Sequence, residues 1–305
     1  MGSYVLKRMI VAFAVAVAVS IISFALLRMS GDLATILAGD GATAEDVAAI
    51  AHAHGLDRPF AVQYVDWLVN VLKGDLGKSL FTAEPTMDMI LAAAPVTFQL
   101  SLYSLILALV VSVPLGVAAA ANPNSWIDRF SLFVAVSGKA IPSFWLALLM
   151  IYWLGVQWRL LPISGAGSWK NLVMPVVVMA VSVMPQLMRL TRSGMLDTLE
   201  SQYIRMAWAK GLAPRTVFFK HALRNAILPV VSVSAISLGF MLGGSVVVET
   251  IFAINGIGAL AYKSIIRIDF PVVQAILFFL SFIYILLTLA ADLINMWLDP
   301  RIRVK

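Results

Sequence analysis

Six long stretches of the chain carry no charged residue, and the charged positions fall between them. These windows cover 9–27, 89–127, 140–158, 171–188, 225–248 and 270–291. Each is long enough to cross a hydrocarbon core of about 30 Å as a helix that rises about 1.5 Å per residue. Because a mid-span charge costs roughly 2.5–3.5 kcal/mol on insertion scales, the pattern predicts six transmembrane helices. The second window exceeds one span, and we expect its helix to begin near Pro95.

The composition excludes an ordinary soluble domain. Hydrophobic residues make up 61% of the 305 positions and charged residues 12%, against a soluble norm of about 45–50% and about 25%. The first window is expected to be a retained anchor rather than a cleaved signal peptide, because no small-residue cleavage site follows it. The chain has no cysteine, which excludes a disulfide framework and a thiolate metal site.

Basic residues concentrate in three segments: the N-terminus, residues 189–224 and the C-terminal tail. Segment 189–224 has seven Lys or Arg against two acidic residues, whereas segment 28–95 has four basic and nine acidic residues. By the positive-inside rule, the basic segments lie in the cytoplasm. We therefore expect an all-α membrane protein with six transmembrane helices, cytoplasmic N- and C-termini and an outer loop at 28–95. The net charge of +6 then reflects topology rather than nucleic-acid binding.

The outer loop is expected to be folded. Thr43 and Asp46 have the spacing of a helix cap, and the helix that they start is predicted to end at Gly55. Pro59 suits the first turn of a second helix, which is predicted to end at Gly74.

Two features of this loop suggest chemistry that their context does not support. His52 and His54, two residues apart on a helix, face roughly opposite ways and make a poor pair of metal ligands, so no metal site is predicted. Residues 77–79 (GKS) would close a Walker A loop, but Leu72 stands where its first glycine should be. The required strand and helix are also missing around 77–79, and ATP is absent outside the cell. We expect no nucleotide site and no catalytic residue in the chain.

The largest predicted cytoplasmic loop reads LDTLESQYIRMAWAKGLAPRTVFFKHALRNAILP. TLESQYIRMAWAK contains good helix formers, Gly211 interrupts them, and Pro214 suits the first turn of a second helix over RTVFFKHAL. The predicted unit is therefore a helix, a glycine bend and a helix. Its apolar residues Val217, Phe218 and Phe219 could pack on the subunit's own membrane domain or dock into a groove on a cytoplasmic partner.

This loop resembles the EAA coupling loop of ABC-importer permeases, in the form typical of the dipeptide/oligopeptide family. The resemblance rests on YIRMAWAKG at 203–211 and on HALRNA at 221–226, followed by Pro229. Arg205 replaces the acidic residue of the general motif, as is usual in this subfamily. Further similar segments follow in family order along nearly the whole chain: SGDLATILAG, GLDRPFAVQY, GDLGKSL, IPSFWLALL, LPISG, VVETIFAINGIG, RIDFPVVQ and DPRIR.

The resemblance implies a type I ABC importer permease fold, with 1–305 as a single transmembrane permease domain and a cytoplasmic coupling loop at 192–224. It implies a bacterial inner-membrane complex with a homologous second permease subunit, two ABC ATPase subunits and an extracytoplasmic substrate-binding protein. ATP and Mg would bind to the ATPases, and no cofactor to this chain. Peptides are the expected cargo. The same permease type also carries nickel complexes, glutathione, opines or sugars.

The resemblance also assigns roles to individual residues. In the coupling loop these are Tyr203, Arg205, Ala207, Lys210, Gly211, Leu212, Pro214 and Arg215. The candidates for the substrate pathway or for contact with the binding protein are Phe144, Trp145, Glu249 and Asn255. Lys139 stands where the family usually has a small residue.

Other transporter classes fit the residues less well. An ion-coupled secondary transporter usually carries acidic or histidine relays within its spans. Here only Asp292 lies inside an apolar stretch, near its end, where a cap or an ion pair near DPRIR is expected. A channel filter and a nucleophile–base pair are not visible. Gly239 and Gly243 allow close helix approach, either to a sister permease or to a helix of the same chain.

Overall fold

The computed structural model describes residues 2–29, 33–39, 41–53 and 55–298. Over these ranges the regular structure is helical, with one isolated bridge between Lys78 and Pro85. The helices are α1 (Gly2–Met29), α2 (Leu33–Ala38), α3 (Ala44–Ala53), α4 (Phe60–Leu72), α5 (Thr86–Ala121), α6 (Trp126–Ala140), α7 (Ser143–Met150), α8 (Trp169–Leu199), α9 (Gln202–Ala209), α10 (Leu223–Ala226), α11 (Leu228–Gly244), α12 (Val246–Ile251), α13 (Ile257–Ile266) and α14 (Phe270–Leu298). Two further segments are π-helical. Ile151–Gln157 directly follows α7, and Thr216–Ala222 directly precedes α10.

Within the described part of the chain, four helices are long and apolar enough to cross a membrane unbroken. They are Leu6–Ala25, Thr86–Ala121, Trp169–Leu199 and Phe270–Ile294. Two bent pairs meet the same test, α6 with Ser143–Gln157 at 99° and Thr216–Ala226 with α11 at 52°. Counting each bent pair as one span gives the six spans predicted from the charge-free windows.

The start of the second span was placed wrongly. Helix α5 begins at Thr86, so Pro95 lies inside the helix rather than at its start. Pro85 precedes the helix with an extended backbone, φ −59° and ψ 128°. The helix that follows continues through Pro95 and ends at Ala121. A proline within an apolar span is tolerated because neighbouring groups satisfy the freed carbonyl.

The third window, 140–158, begins at a bend, and its helical part runs from Ser143 to Gln157. Helix α6 ends at Ala140, and Ile141 is extended with φ −83° and ψ 120° before Pro142. The residue before a proline avoids the helical region because of a clash with the proline ring. This local effect explains the sharp bend between α6 and α7.

The main core lies where α5 and α8 cross. A Cβ on Gly116 would lie 2.7 Å from the Cβ of Thr191, so only glycine allows the helices to approach this closely. Ser112 Oγ donates a hydrogen bond to the Met184 carbonyl at 3.0 Å across the same contact. Helices α7, α11 and α12 add buried side chains to this core. The crossing therefore organises the membrane domain.

The outer loop is folded, as predicted, and helices α3 and α4 confirm the expected helical turns. Thr43 and Asp46 cap α3 reciprocally: the Thr43 amide donates to Asp46 Oδ2 at 2.9 Å, and the Asp46 amide donates to Thr43 Oγ1 at 3.3 Å. Helix α4 rests on the first span, where Phe24 is 1% exposed with its ring centroid 5.6 Å from that of Tyr64. Trp67 extends this aromatic cluster to Phe278 of α14, with ring centroids 5.6 Å apart.

The two glycines of α11 have different surroundings. A Cβ on Gly239 would lie 2.4 Å from Cδ2 of Tyr284 on α14, whereas a Cβ on Gly243 would meet no atom within 4 Å. Gly239 therefore serves packing within the chain. Phe240, next to it, is 77% exposed.

Candidate functional site

The loop predicted to be cytoplasmic begins where α8 ends at Leu199. Glu200 keeps a helical backbone, but Ser201 is extended with φ −67° and ψ 150°, and a separate helix, α9, follows. The sequence TLESQYIRMAWAK is therefore divided between two helices, contrary to the prediction of one. Gly211 ends the turn after α9 in the left-handed region, with φ +72° and open space around it. Pro214 then opens the next helical segment, as predicted.

One face of this loop packs on the subunit itself. Ile204 and Ala207, three residues apart on α9, are buried on the same side of the helix, as expected for positions i and i+3. They join a cluster with the ends of α5 and α8, composed of Val117, Ala120, Met195, Ile204, Ala207, Val217, Ala222 and Ala226. Helix α9 is thus attached to the two helices that form the main core.

Two roles were possible for Val217, Phe218 and Phe219: packing within the chain or docking to a partner. The three side chains differ in how far they are buried. Val217 is fully buried in this cluster. Phe218 is half-buried and contacts the edge of Trp208, with ring centroids 6.2 Å apart. Phe219 is 57% exposed. Packing within the chain and an outward surface are therefore both present.

The opposite face of α9 is exposed and combines apolar and basic side chains. Tyr203 is 42% and Met206 59% exposed. Arg205 is exposed and donates to the Glu200 carbonyl at 3.1 Å. Tyr203 Oη is 2.6 Å from Asn225 Nδ2, which holds the ring beside the following segment. Such a face can dock into an apolar groove with acidic or carbonyl groups around it.

The structure places the eight predicted coupling residues on both faces of the loop. Ala207 is buried and Leu212 is half-buried against the inner cluster. The other six are exposed: Tyr203, Arg205, Lys210, Gly211, Pro214 and Arg215.

The four pathway candidates also lie in different surroundings. Phe144 and Trp145 are 50% and 47% exposed on α7. Asn255 is exposed, and its Oδ1 accepts a hydrogen bond from Lys263 Nζ at 3.3 Å. Glu249 is fully buried, so in this structure it does not reach the surface of the chain.

Glu249 instead joins three helices. Its Oε1 accepts from Thr97 Oγ1 at 2.7 Å, and its Oε2 accepts from the Ala259 amide at 2.9 Å. Thr97 Oγ1 in turn accepts from the Ile257 amide at 2.8 Å. A carboxylate near these amides satisfies unpaired donors at the start of α13 and interacts favourably with the helix dipole. No pattern in the sequence predicted this role for Thr97.

Within residues 77–79, Ser79 makes a structural contact with Asp269. Ser79 Oγ donates to Asp269 Oδ2 at 2.6 Å, and the Leu80 amide donates to Asp269 Oδ1 at 3.2 Å. Ser79 Oγ also accepts from the Thr82 amide at 3.1 Å. The serine of the Walker-like match therefore fastens the outer loop to the segment before α14.

A charged pair that the sequence analysis did not identify links α6 to α8. Arg192 Nε and Nη2 lie 2.6 Å and 2.8 Å from the two carboxylate oxygens of Asp128. Asp128 also accepts from the Asn124 amide at 3.0 Å and is 8% exposed. The pair is bidentate, the strongest arrangement for arginine and carboxylate.

The remaining charged candidates have partners. Asp292 lies 3.0 Å from Arg8 of α1, while the DPRIR segment expected to pair with it lies outside the described residues. His52 Nδ1 lies 2.9 Å from Asp57, and this hydrogen bond lowers the pKa of the Asp57 carboxyl. His54 lies outside the described residues.

Comparison with known proteins places this architecture in one family. Residues 112–304 match the binding-protein-dependent transport system inner membrane component family, and residues 1–101 match its N-terminal region. The chain belongs to this family of ABC-importer permeases.

Relatives match the chain over almost its whole length. A probable peptide ABC transporter permease of Sinorhizobium fredii is 37% identical over 99% of this chain and 100% of its own. A putative peptide transport system permease of Brucella abortus is 36% identical over 99% of both chains. The glutathione transport system permease protein GsiC of Salmonella typhimurium is 36% identical over 100% of both chains.

A solved structure shares the fold. A chain of the inward-facing MetNI methionine ABC transporter superposes with a TM-score of 0.61 and 22% identity, covering 72% of this chain and all of that one. The type I importer permease fold implied by the sequence is thereby confirmed, and the spans make the chain a multi-pass membrane protein.

Proposed function

We propose that this chain forms half of the translocation pathway of an ATP-driven importer for peptides, in a bacterial inner membrane. The observation that carries the proposal is helix α9, whose inner face is buried against the ends of α5 and α8 and whose outer face is open. The full-length peptide-permease relatives support the cargo class. Glutathione, itself a peptide, is the named cargo of GsiC and falls within the same class.

The complex would contain a second, homologous permease, two ABC ATPase subunits and an extracytoplasmic binding protein. The ATPases supply the ATP site and its Mg, while this chain binds no cofactor and catalyses no reaction. The basic loop 189–224 supports a cytoplasmic position for α9, and hence for both termini.

The geometry suggests how ATPase movement reaches the membrane. A force on Tyr203 and Met206 moves α9, and Ile204 transmits it to Val117 and Met195 because all three belong to one buried cluster. Close-packed interiors transmit displacement with little compression. The Asp128–Arg192 pair then moves α6 together with α8.

The exposed face of α9 is the part to test. We expect the double substitution Tyr203→Asp and Met206→Asp to reduce co-purification of the ATPases, because two carboxylates would replace the apolar contact. The control is Leu160→Asp, which changes a residue that is 63% exposed and separated from the loop by α8. Equal co-purification in all three proteins would contradict the proposed docking face.

Energy coupling separates this proposal from an ion-coupled transporter. In proteoliposomes that contain the assembled complex, peptide uptake should require ATP on the side of the membrane where the ATPase subunits lie. It should persist when ionophores collapse the ion gradients. Uptake that follows the gradient and ignores ATP would support the ion-coupled alternative.

A further inference from the structure

A cavity of about 190 Å³ lies between the end of α1, helix α4 and the start of α14. Its walls include Arg28, Trp67, Asp75 and Gln274, with Phe270 and Pro271 on the α14 side. A second cavity of about 350 Å³ adjoins it and shares Arg28, Trp67 and Asn70. Neither cavity is lined by any of the predicted coupling residues or predicted pathway residues.

Two cavity side chains have unused donors among the described residues. Arg28 is half-buried, with its guanidinium carbon 5.1 Å from the centre of the Phe24 ring, and no carboxylate of the described residues lies within ion-pair distance of it. Gln274 is 9% exposed, and its Nε2 has no hydrogen-bond partner. Burial lowers the pKa of the Arg28 guanidinium, because leaving water disfavours its charge. A bound anion would offset this cost.

The cavity also contains an acceptor of opposite charge. Asp75 is exposed at the rim, and its Oδ1 accepts the Gly77 amide at 2.8 Å. A cation on one wall and a carboxylate at the rim suit a ligand with both an anionic and a cationic group. A half-turn of the Gln274 amide would direct its N–H groups towards the anionic part, since the two ends of the amide are similar in shape.

The position of the cavity indicates a membrane ligand. Arg28 follows the apolar span Leu6–Ala25 directly, and Gln274 lies in the first turns of the apolar span Phe270–Ile294. Both side chains are therefore at the depth where lipid headgroups meet the hydrocarbon core. Leu277, three residues beyond Gln274, is 42% exposed and offers an apolar surface for an acyl chain.

We propose that this cavity binds the headgroup of phosphatidylethanolamine. The phosphate lies against Arg28 and Gln274, and the ammonium group lies towards Asp75. Arginine matches phosphate through a planar fork of N–H donors. The inference does not depend on which solute the complex transports.

The test is native mass spectrometry of the purified full-length chain, offered phosphatidylethanolamine and phosphatidylglycerol with identical acyl chains. We expect one retained phosphatidylethanolamine. Arg28→Gln should weaken its binding roughly tenfold, the loss of one charge-assisted hydrogen bond, and Gln274→Leu should weaken it with little change in side-chain volume. Asp75→Asn should abolish the preference over phosphatidylglycerol. Arg267→Gln, which changes an exposed arginine outside both cavities, should have no effect.

Three results would overturn the proposal. Equal or tighter retention of phosphatidylglycerol by the unaltered chain would remove the role of Asp75. Unchanged retention in Arg28→Gln would place the lipid elsewhere. Displacement of the lipid by equimolar free phosphoethanolamine would assign the cavity to a soluble zwitterion. If Arg28→Gln does not fold, Arg28→Lys keeps the charge and loses the planar fork, so weaker binding is still expected.

Discussion

Asp128 and Arg192 form a bidentate ion pair between α6 and α8, 64 residues apart in the chain. The carboxylate side chain is 11% exposed, and the guanidinium 34%. The pair joins α6, in the bent third span, to α8, the helix that the predicted coupling loop follows. It is the most enclosed of the ion pairs found among the described residues.

We expect Asp128→Asn to lower the free energy of unfolding by about 2 kcal/mol, since it removes a charge-assisted hydrogen bond and leaves Arg192 with a neutral partner. Thermal unfolding of the purified chain, followed by tryptophan fluorescence, measures the change. The matched control is Asp66→Asn. It breaks the Arg58–Asp66 pair, in which both side chains are more than half exposed, and should cost less than about 1 kcal/mol. Equal losses in the two variants would contradict a special role for the enclosed pair.

Gly211→Trp should abolish uptake by the assembled complex while the subunit still inserts and folds. Gly211 has φ +72° and open space at the Cβ position, so the cost is a backbone strain of about 1–2 kcal/mol at a surface turn. The bulky ring would then displace α9 from its partner. Uptake, ATPase rate and subunit co-purification are measured together.

Gly211→Asn is the control, because asparagine tolerates a left-handed helix end and should be nearly silent. Normal uptake by Gly211→Trp at normal expression would show that this bend does not couple the ATPases to the membrane helices.

Gly256→Ala should destabilise the chain by about 1–3 kcal/mol through overpacking. The added Cβ would lie 2.4 Å from Thr97 Oγ1 and 2.5 Å from Glu249 Oε2, the atoms that hold the start of α13. Gly167→Ala is the control, since a Cβ there meets no atom within 4 Å. Equal unfolding temperatures for the two variants would argue against a tightly packed Glu249 site.

The orientation of the chain can be tested with single cysteines, because the sequence contains none. A cysteine at the exposed position Thr82 should react with an impermeant maleimide added to intact cells. A cysteine at the exposed position Gln202 should react only after permeabilisation. The reverse pattern would overturn the assignment of inside and outside that rests on basic residues.

A nucleotide-binding experiment tests the Walker-like match at residues 77–79. Lys78→Ala should leave nucleotide binding by the isolated chain at background, because Ser79 is already bonded to Asp269 and no phosphate-binding turn surrounds it. Equilibrium binding of labelled ATP measures this. Stoichiometric binding that disappears in Lys78→Ala would contradict the structural role of residues 77–79.

Local signals in the sequence predicted local features well. Charge-free windows located the spans, and the Thr43–Asp46 spacing located α3, because insertion cost and helix capping depend on neighbouring residues. The bend before Pro142 also had a local signal, the proline itself. The prediction that the second span begins near Pro95 was wrong, because a proline starts some helices but is tolerated inside apolar ones.

Long-range pairs had no such signal. Ser79 and Asp269 are 190 residues apart, and Thr97 and Glu249 are 152 apart. Their partnership depends on how the helices pack, which one sequence does not specify. For the same reason, the sequence did not show which residues of the predicted coupling loop, such as Ala207, face inward.

Helix α8 has 31 residues, which corresponds to about 46 Å at about 1.5 Å per residue. A hydrocarbon core of about 30 Å leaves about a third of that length outside the membrane interior. The helix can therefore act as a lever, with its crossing against α5 at Gly116 as the fulcrum. A tilt of about 10° about that point would shift each end by a few ångströms in opposite directions. A small displacement of the Leu199 end would thus produce an opposite and larger displacement of the Trp169 end, because Thr191, which contacts Gly116, lies nearer Leu199.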